Sequence, residues 1–115
     1  SVACWGSGTP RREFLNVDDL ADALLFLLER YDRGGHVNVG TGEDLTIREL
    51  VDLIASVAGY TGEITWDASK PDGTPRKLMD VSTLQGLGWR HQVELSDGLR
   101  DMYAWFCDNF ADARR

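Results

Sequence analysis

The chain has 115 residues, of which 43% are hydrophobic and 27% are charged, and its formal net charge at pH 7 is −7. This composition is typical of one globular domain or part of one, and it excludes wholesale disorder. The acidic balance excludes a nucleic-acid-binding face and binding to an anionic membrane surface, because both require clustered positive charge.

The sequence has no signal for a membrane or secreted protein. No apolar run approaches the roughly 20 residues of a transmembrane helix, and no secretory signal pattern is recognisable. The two cysteines, Cys4 and Cys107, lie far apart in the sequence. We therefore expect a cytoplasmic protein with buried thiols and no metal site, and a disulfide only as the minor alternative.

The first half of the chain predicts three strands and two helices. It begins without Met in a strand-like segment, residues 2–5, so we expect a fragment of a longer protein. A short strand is predicted over residues 12–17. A helix capped by Asp18 and ending near Tyr31 should follow, with one buried stripe of Leu20, Leu24, Leu27, Leu28 and Tyr31. A buried strand is then predicted over residues 36–40.

The second helix has the clearest boundaries. Thr46 and Glu49 have the spacing of a capping box, and Gly59 suits a left-handed cap at the other end. Between them lies a helical apolar face of Ile47, Leu50, Val51, Ile54 and Val57.

The remainder of the chain predicts an edge strand over residues 63–66, an irregular segment over 67–77 and a helical turn over 82–87. A final helix capped by Ser96 should bury one side formed by Leu99, Tyr103, Phe106 and Phe110. The fold class is α/β, but so few strands cannot complete a doubly wound sheet. Part of the surface is therefore expected to need a partner.

Positive charge is concentrated in two short loops of this acidic chain. Five of the 12 Lys and Arg residues lie in residues 8–12 and 70–77, which also contain the three prolines. Proline and glycine restrict such loops, and fixed guanidinium groups suit phosphate oxygens. Trp5 adds a flat face for a base or sugar. The alternative reading is solvated surface charge beside a core tryptophan.

Other candidate motifs have structural explanations. Gly40-Thr41-Gly42 lacks the third glycine of a dinucleotide-binding turn, since Leu45 stands at that position. Asp18 and Asp19 suit a helix N-terminus. His36 and His91 are isolated, and Cys107 is expected in the core. No nucleophile, base and orienting group can be assembled, so no catalytic residue is predicted in this chain.

Seven strings of the sequence together resemble a known family. They are Trp5-Gly6-Ser7-Gly8-Thr9-Pro10 with Arg12-Glu13-Phe14-Leu15, Val17-Asp18-Asp19-Leu20-Ala21, Asn38-Val39-Gly40-Thr41-Gly42, Thr46-Ile47-Arg48-Glu49-Leu50, residues 70–77, and Leu87-Gly88-Trp89. Over nearly its whole length the chain resembles the C-terminal, substrate-binding portion of the GDP-L-fucose synthases. These are extended short-chain dehydrogenases/reductases, which have a Rossmann-like fold.

The resemblance implies an NADPH-dependent enzyme that epimerises and then reduces GDP-4-keto-6-deoxy-mannose. It implies that Trp5, Arg12 and Asp72 contact the GDP-sugar, with Arg76 and Lys77 as further candidates. The NADP-binding Rossmann domain and the catalytic residues of such enzymes lie upstream of the matching region. Asn16 departs from the family, where His or another aromatic residue is common.

Three expectations follow from the resemblance. Residues 1–115 alone should bind no NADP(H), although the full-length enzyme uses it. The fragment should also expose apolar surface that the missing domain would cover, and therefore self-associate. The alternatives are a fragment of another extended short-chain nucleotide-sugar epimerase or dehydratase, and a non-catalytic module whose basic loops bind an acidic protein.

Overall fold

A computed structural model describes residues 1–113, in which four helices and five short strands are found. The helices are α1 (Val17–Arg30), α2 (Ile47–Ala58), α3 (Ser82–Gly86) and α4 (Leu95–Asn109). The strands are β1 (Val2–Trp5), β2 (Arg11–Arg12), β3 (Leu45–Thr46), β4 (Ile64–Asp67) and β5 (Arg76–Lys77).

The strands form two small sheets. β1 pairs in parallel with β4, in a register that runs from Val2 opposite Ile64 to Trp5 opposite Asp67. In the second sheet β2 is central, with β3 antiparallel on one side and β5 parallel on the other. The predicted α/β class with an incomplete sheet is confirmed. The segment predicted to be irregular contains one short exception, β5.

The core joins α1 to α3 and the turn that follows it. Ala23 and Leu84 are fully buried, and Trp89 is nearly so. Around them pack the half-buried residues Leu15, Phe26, Leu27, Val37 and Val39. The Trp89 Nε1 atom donates to the Asp22 carboxylate at 2.8 Å, so the buried indole also satisfies its one polar atom.

The predicted buried stripe of α1 is confirmed for Leu27, which packs against the core, and wrong for Leu20, Leu24 and Leu28. Asp19 and Ala23 are the buried residues of this helix, whereas Leu24 is exposed and Leu28 is 83% exposed. The Asp19 carboxylate accepts hydrogen bonds from the backbone N–H groups of Gln92 and Val93, at 3.0 and 2.9 Å. These two bonds turn the Asp19 side of the helix inward and leave most of the leucines outside.

The predicted N-cap of α1 is also wrong by two residues. The cap is Asn16, whose side-chain oxygen accepts from the backbone N–H of Asp18 at 2.9 Å. Asn is a strong N-cap residue. The position at which this chain departs from the family it resembles therefore has a local structural role.

Two predicted strands differ from the structure for the same reason. Residues 36–40 form no strand, although Val37 and Val39 pack against the core. The strand predicted over residues 12–17 is reduced to Arg11–Arg12. An apolar or alternating pattern predicts an extended segment, but a strand also needs a neighbour to pair with. Of these two predicted strands, only the part that forms β2 has such a neighbour within residues 1–113.

The second helix agrees with the prediction. Thr46 and Glu49 cap each other through bonds of 2.7 and 3.1 Å between side chain and backbone. Gly59 ends the helix with φ of 66°, a conformation that glycine adopts without strain. Its apolar face packs on α4.

The last helix is partly mispredicted. Its cap is Glu94, not Ser96, and no side-chain capping bond is made. Cys107 is exposed on it and not in the core, and Tyr103, Phe106 and Phe110 remain about two-fifths or more exposed. Both cysteines are free thiols. In the part of the chain that the structure describes, no helix has the length and apolar character needed to cross a bilayer.

Asp19 provides a test of this fold. Asp19→Ala would leave two backbone N–H groups without acceptors at a half-buried position, so we expect a loss of about 1–3 kcal/mol in the free energy of unfolding. Urea denaturation followed by tryptophan fluorescence measures it. Asp18→Ala is the matched control, because Asp18 is the exposed neighbour in the same helical turn, and its loss should stay below about 1 kcal/mol. Equal losses in the two variants would contradict this role of Asp19.

Candidate functional site

The structure brings the two basic loops together. We call residues 5–12 loop A and residues 70–77 loop B. Loop A ends in β2 and loop B ends in β5, and these strands pair with Arg11 opposite Arg76 and Arg12 opposite Lys77. The backbone N–H of Arg11 also donates to the Pro75 carbonyl at 2.8 Å. Four of the five loop cations therefore lie at one junction.

Asp72 joins the two loops a second time. Its carboxylate accepts from the Ser7 backbone N–H at 2.6 Å and from the Ser7 hydroxyl at 2.8 Å. The backbone bond, followed by the hydroxyl bond, holds the pKa of the Asp72 carboxyl below its ordinary value. Gly6 has φ of 82°, and a Cβ there would lie 2.5 Å from the same carboxylate. Glycine is therefore required at position 6 for the close approach of Asp72.

Asp44 makes the third connection. Its side chain is only 5% exposed, and its two oxygens accept from the Nε atoms of Arg11 at 3.0 Å and Arg76 at 2.6 Å. Burial opposes ionisation of this carboxyl, but the hydrogen bonds from Arg76 and then Arg11 outweigh it and hold its pKa below the ordinary value. The Asp44 carboxylate thus accepts a hydrogen bond from one arginine of each basic loop.

Two tryptophans flank loop A in different ways. Trp5 is 74% exposed, which contradicts the core alternative, and the Lys70 ammonium lies 5.4 Å from its ring centroid. Trp66 is covered by Arg48, whose guanidinium lies 4.4 Å from the ring centroid and donates to the Ser7 carbonyl at 2.7 Å. Trp66 therefore supports loop A, whereas Trp5 presents a flat face to solvent.

Arg12 and Lys77 differ from the other pair of cations at the junction. Arg12 donates to the Arg11 carbonyl at 2.7 Å and lies beside Gly73 of loop B. Lys77 is exposed. Among residues 1–113, neither cation forms a salt bridge, although the two stand opposite each other in the strand register. Adjacent positive charges without a carboxylate favour a bound anion.

Glu13 organises the glycine turn at residues 40–42, a role that the sequence did not reveal. Its carboxylate accepts from the Gly42 backbone N–H at 2.6 Å and from the Thr41 hydroxyl at 3.4 Å. A Cβ at Gly40 would lie 2.8 Å from that carboxylate. Because a carboxylate already occupies the Gly42 amide, this turn does not fit a dinucleotide phosphate. Glu13 and Gly42 lie 29 residues apart, so the spacing of the sequence does not reveal this bond.

The remaining candidates do not assemble into a reactive centre. His36 is exposed and His91 is half-buried, and they lie in different segments. In the described part of the chain, no group of three His, Cys, Asp or Glu residues is arranged to hold a metal ion. The chemistry that the residues described above support is binding of an anionic ligand that has a flat ring.

Comparisons with known proteins agree with this fold. The profile of the NAD dependent epimerase/dehydratase family matches residues 1–40. The chain is 56% identical over 108 residues to GDP-L-fucose synthase 1 of Arabidopsis thaliana, a match covering 94% of this chain and 33% of that protein.

Solved structures give the same result. A GDP-L-fucose synthetase from Naegleria fowleri bound to NADP superposes with a TM-score of 0.93 at 26% identity, over 98% of this chain and 36% of that one. A GDP-6-OMe-4-keto-L-xylo-heptose reductase from C. jejuni has a TM-score of 0.85 at 38% identity, over 93% of this chain and 34% of that one.

The chain spans about a third of the length of the relatives it matches. The resemblance found in the sequence and the Rossmann-like fold class that it implied are both confirmed. Over nearly its whole length, this chain is similar to one third of a GDP-L-fucose synthase of the epimerase/dehydratase family.

Proposed function

We propose that this chain forms part of the GDP-sugar site of an NADPH-dependent epimerase/reductase that makes GDP-L-fucose from GDP-4-keto-6-deoxy-mannose. The observation that carries the proposal is the pair Arg12 and Lys77, two adjacent cations without a salt-bridge partner among residues 1–113. The exposed ring of Trp5, at the start of loop A, supports it. A nucleotide diphosphate supplies both an anion and a ring.

Each site residue has a proposed role. Arg12 and Lys77 bind the diphosphate, since charge-assisted bonds from cations to phosphate are among the strong ones. Trp5 stacks on the base or a sugar. Arg76 is a weaker candidate for a ligand contact, because its Nε is already donated to Asp44. Asp72 is proposed to contact the sugar, and its bonds to Ser7 also fix loop A against loop B.

The reaction itself belongs to the full-length enzyme in this proposal. NADP(H) and the catalytic residues are assigned to an N-terminal Rossmann domain outside this sequence, and residues 1–115 act as the C-terminal substrate-binding portion. The carboxylate of Glu13 at the Gly42 amide supports this division, because it would repel a cofactor phosphate at the one glycine turn that resembles a dinucleotide site. A cytoplasmic location is also proposed, since both thiols are free.

A related GDP-sugar is the second candidate substrate. The similarity to a heptose reductase at 38% identity favours it, because that protein is also named for a GDP-linked sugar. The first candidate is supported by higher identity to GDP-L-fucose synthases. A non-catalytic module that binds an acidic protein is the remaining alternative.

Titration with nucleotides separates a GDP-sugar site from a site for another nucleotide sugar and from a module that binds an acidic protein. GDP should quench or shift the fluorescence of the exposed Trp5, whereas UDP at the same concentration should bind more weakly. The Trp5→Phe variant identifies which tryptophan reports binding. Equal affinity for GDP and UDP would favour another nucleotide-sugar enzyme, and no response to either would contradict the proposed site.

Arg12→Ala is the direct test of the diphosphate contact. A lost charge-assisted bond of roughly 1.5–3 kcal/mol should weaken affinity of the full-length enzyme for its GDP-sugar by about ten- to a hundredfold. The free energy of unfolding should change little, because the Arg12 side chain bonds to the neighbouring Arg11 carbonyl and is not part of the hydrophobic core. Arg30→Ala, at the exposed end of α1, is the control cation. An unchanged KM in Arg12→Ala would show that Arg12 does not bind substrate.

The assignment of NADP(H) to another domain gives a separate prediction. Residues 1–115 alone should neither bind NADPH nor oxidise it in the presence of the keto sugar, because their glycine turn is occupied by Glu13. Fluorescence of added NADPH measures binding, and its absorbance measures oxidation. Saturable binding by the purified chain would contradict the assignment of the cofactor to another domain.

Self-association of the isolated chain is also proposed. Leu24, Leu25 and Leu28 are exposed on α1, and an apolar groove of about 240 Å³ lies between α2 and α4. Apolar surface of this kind drives association. Sedimentation over a wide concentration range should therefore detect dimers or larger species, with unfolding that depends on concentration. Leu28→Lys should reduce the association, and a monomer at every concentration would contradict it.

A further inference from the structure

The two strands at the loop junction place their four cations on two different faces. Successive side chains of a strand point to opposite sides, and paired residues share a side. Arg11 and Arg76 therefore lie on one face, and Arg12 and Lys77 lie on the other. The common bonding of Arg11 and Arg76 to Asp44 agrees with this arrangement.

The two faces differ in charge balance. On the first face, the buried carboxylate of Asp44 receives both arginine Nε atoms, at 3.0 and 2.6 Å. On the second face, Arg12 and Lys77 have no salt bridge in residues 1–113. Pairing two strands that each carry two consecutive cations is electrostatically costly. Asp44 offsets that repulsion on one face only.

Asp44 is well placed to control the register of the two strands. It lies immediately before β3, which pairs with β2, so its backbone is fixed to loop A. The bond to Arg76 then reaches across to loop B. A connection between one carboxylate and an arginine of each strand fixes which residue of β5 stands opposite which residue of β2.

We propose that Asp44 is a positioning residue for the GDP-sugar: by holding Arg11 and Arg76 together on one face of the strand pair, it sets Arg12 and Lys77 side by side on the other as a two-cation diphosphate site. The inference rests on the proposed function. It adds a residue that touches no substrate, and it gives Arg11 a supporting role through the same carboxylate.

The test compares kinetics of Asp44→Asn with those of Arg12→Ala in the full-length enzyme. Asn keeps the shape of Asp but has no charge and one acceptor oxygen, so the strands are held less firmly. KM for the GDP-sugar should rise roughly three- to tenfold, with kcat within about twofold of the wild type. The loss in the double variant should be smaller than the sum of the two single losses, because Asp44 acts through the cation pair to which Arg12 belongs.

Asp97→Asn is the matched control, because Asp97 also pairs with an arginine, Arg100, at 2.8 Å, but on the exposed surface of α4. It should leave KM unchanged. If Asp44→Asn does not fold, Arg11→Gln removes one arm of the same connection from a partly exposed side chain and should raise KM in the same way.

Three results would overturn the inference, and they are distinguishable. A lower kcat with unchanged KM would mean that Asp44 only maintains the amount of folded enzyme. Full additivity with Arg12→Ala would mean that Asp44 acts independently of Arg12. An unchanged KM in Arg12→Ala itself would remove the proposed diphosphate contact, and the inference would fall with the proposed function.

Discussion

The candidate site depends on the electrostatic cost of placing two basic strands next to each other. β2 and β5 each contribute two consecutive cations, and their pairing in register would be unfavourable without a compensating charge. The buried carboxylate of Asp44 supplies it for Arg11 and Arg76. The ionised form is favoured there because two guanidinium groups donate to it, in spite of its burial.

A second carboxylate gives the junction its shape. Asp72 reaches across from loop B to the backbone and hydroxyl of Ser7, and only a glycine at position 6 permits so close an approach. Arg48 holds loop A from the other side by bonding the Ser7 carbonyl while it stacks on Trp66. Loop A is thus fixed by polar contacts on both sides, although it contains little regular structure.

The helices place this junction, and α2 also contributes to it directly through Arg48. The capping box of Thr46 and Glu49 begins α2 at the end of β3, the strand that pairs with β2. Asp19 ties α1 to residues 92 and 93, and the core of Ala23, Leu84 and Trp89 joins α1 to α3. The outward leucines of α1 remain uncovered, in agreement with a chain that spans about a third of its relatives.

Local signals in the sequence determined several features on their own. The boundaries of α2 followed from Thr46, Glu49 and Gly59, because capping bonds form between residues three or four apart. The α/β class, the irregular loops and the five clustered cations were also predictable, and the family resemblance followed from seven short strings. These features do not depend on tertiary contacts between distant parts of the chain.

Tertiary structure decided the rest, since burial and strand pairing depend on distant partners. Most leucines of α1 face outward, whereas Asp19 is buried and finds its donors 73 and 74 residues away. Asn16 caps that helix, and Cys107 is exposed. Residues 36–40 have the apolar pattern of a strand, but within residues 1–113 they form no strand pairing. The bonds of Asp44 and Glu13 join segments about 30 residues apart, so no spacing rule predicts them.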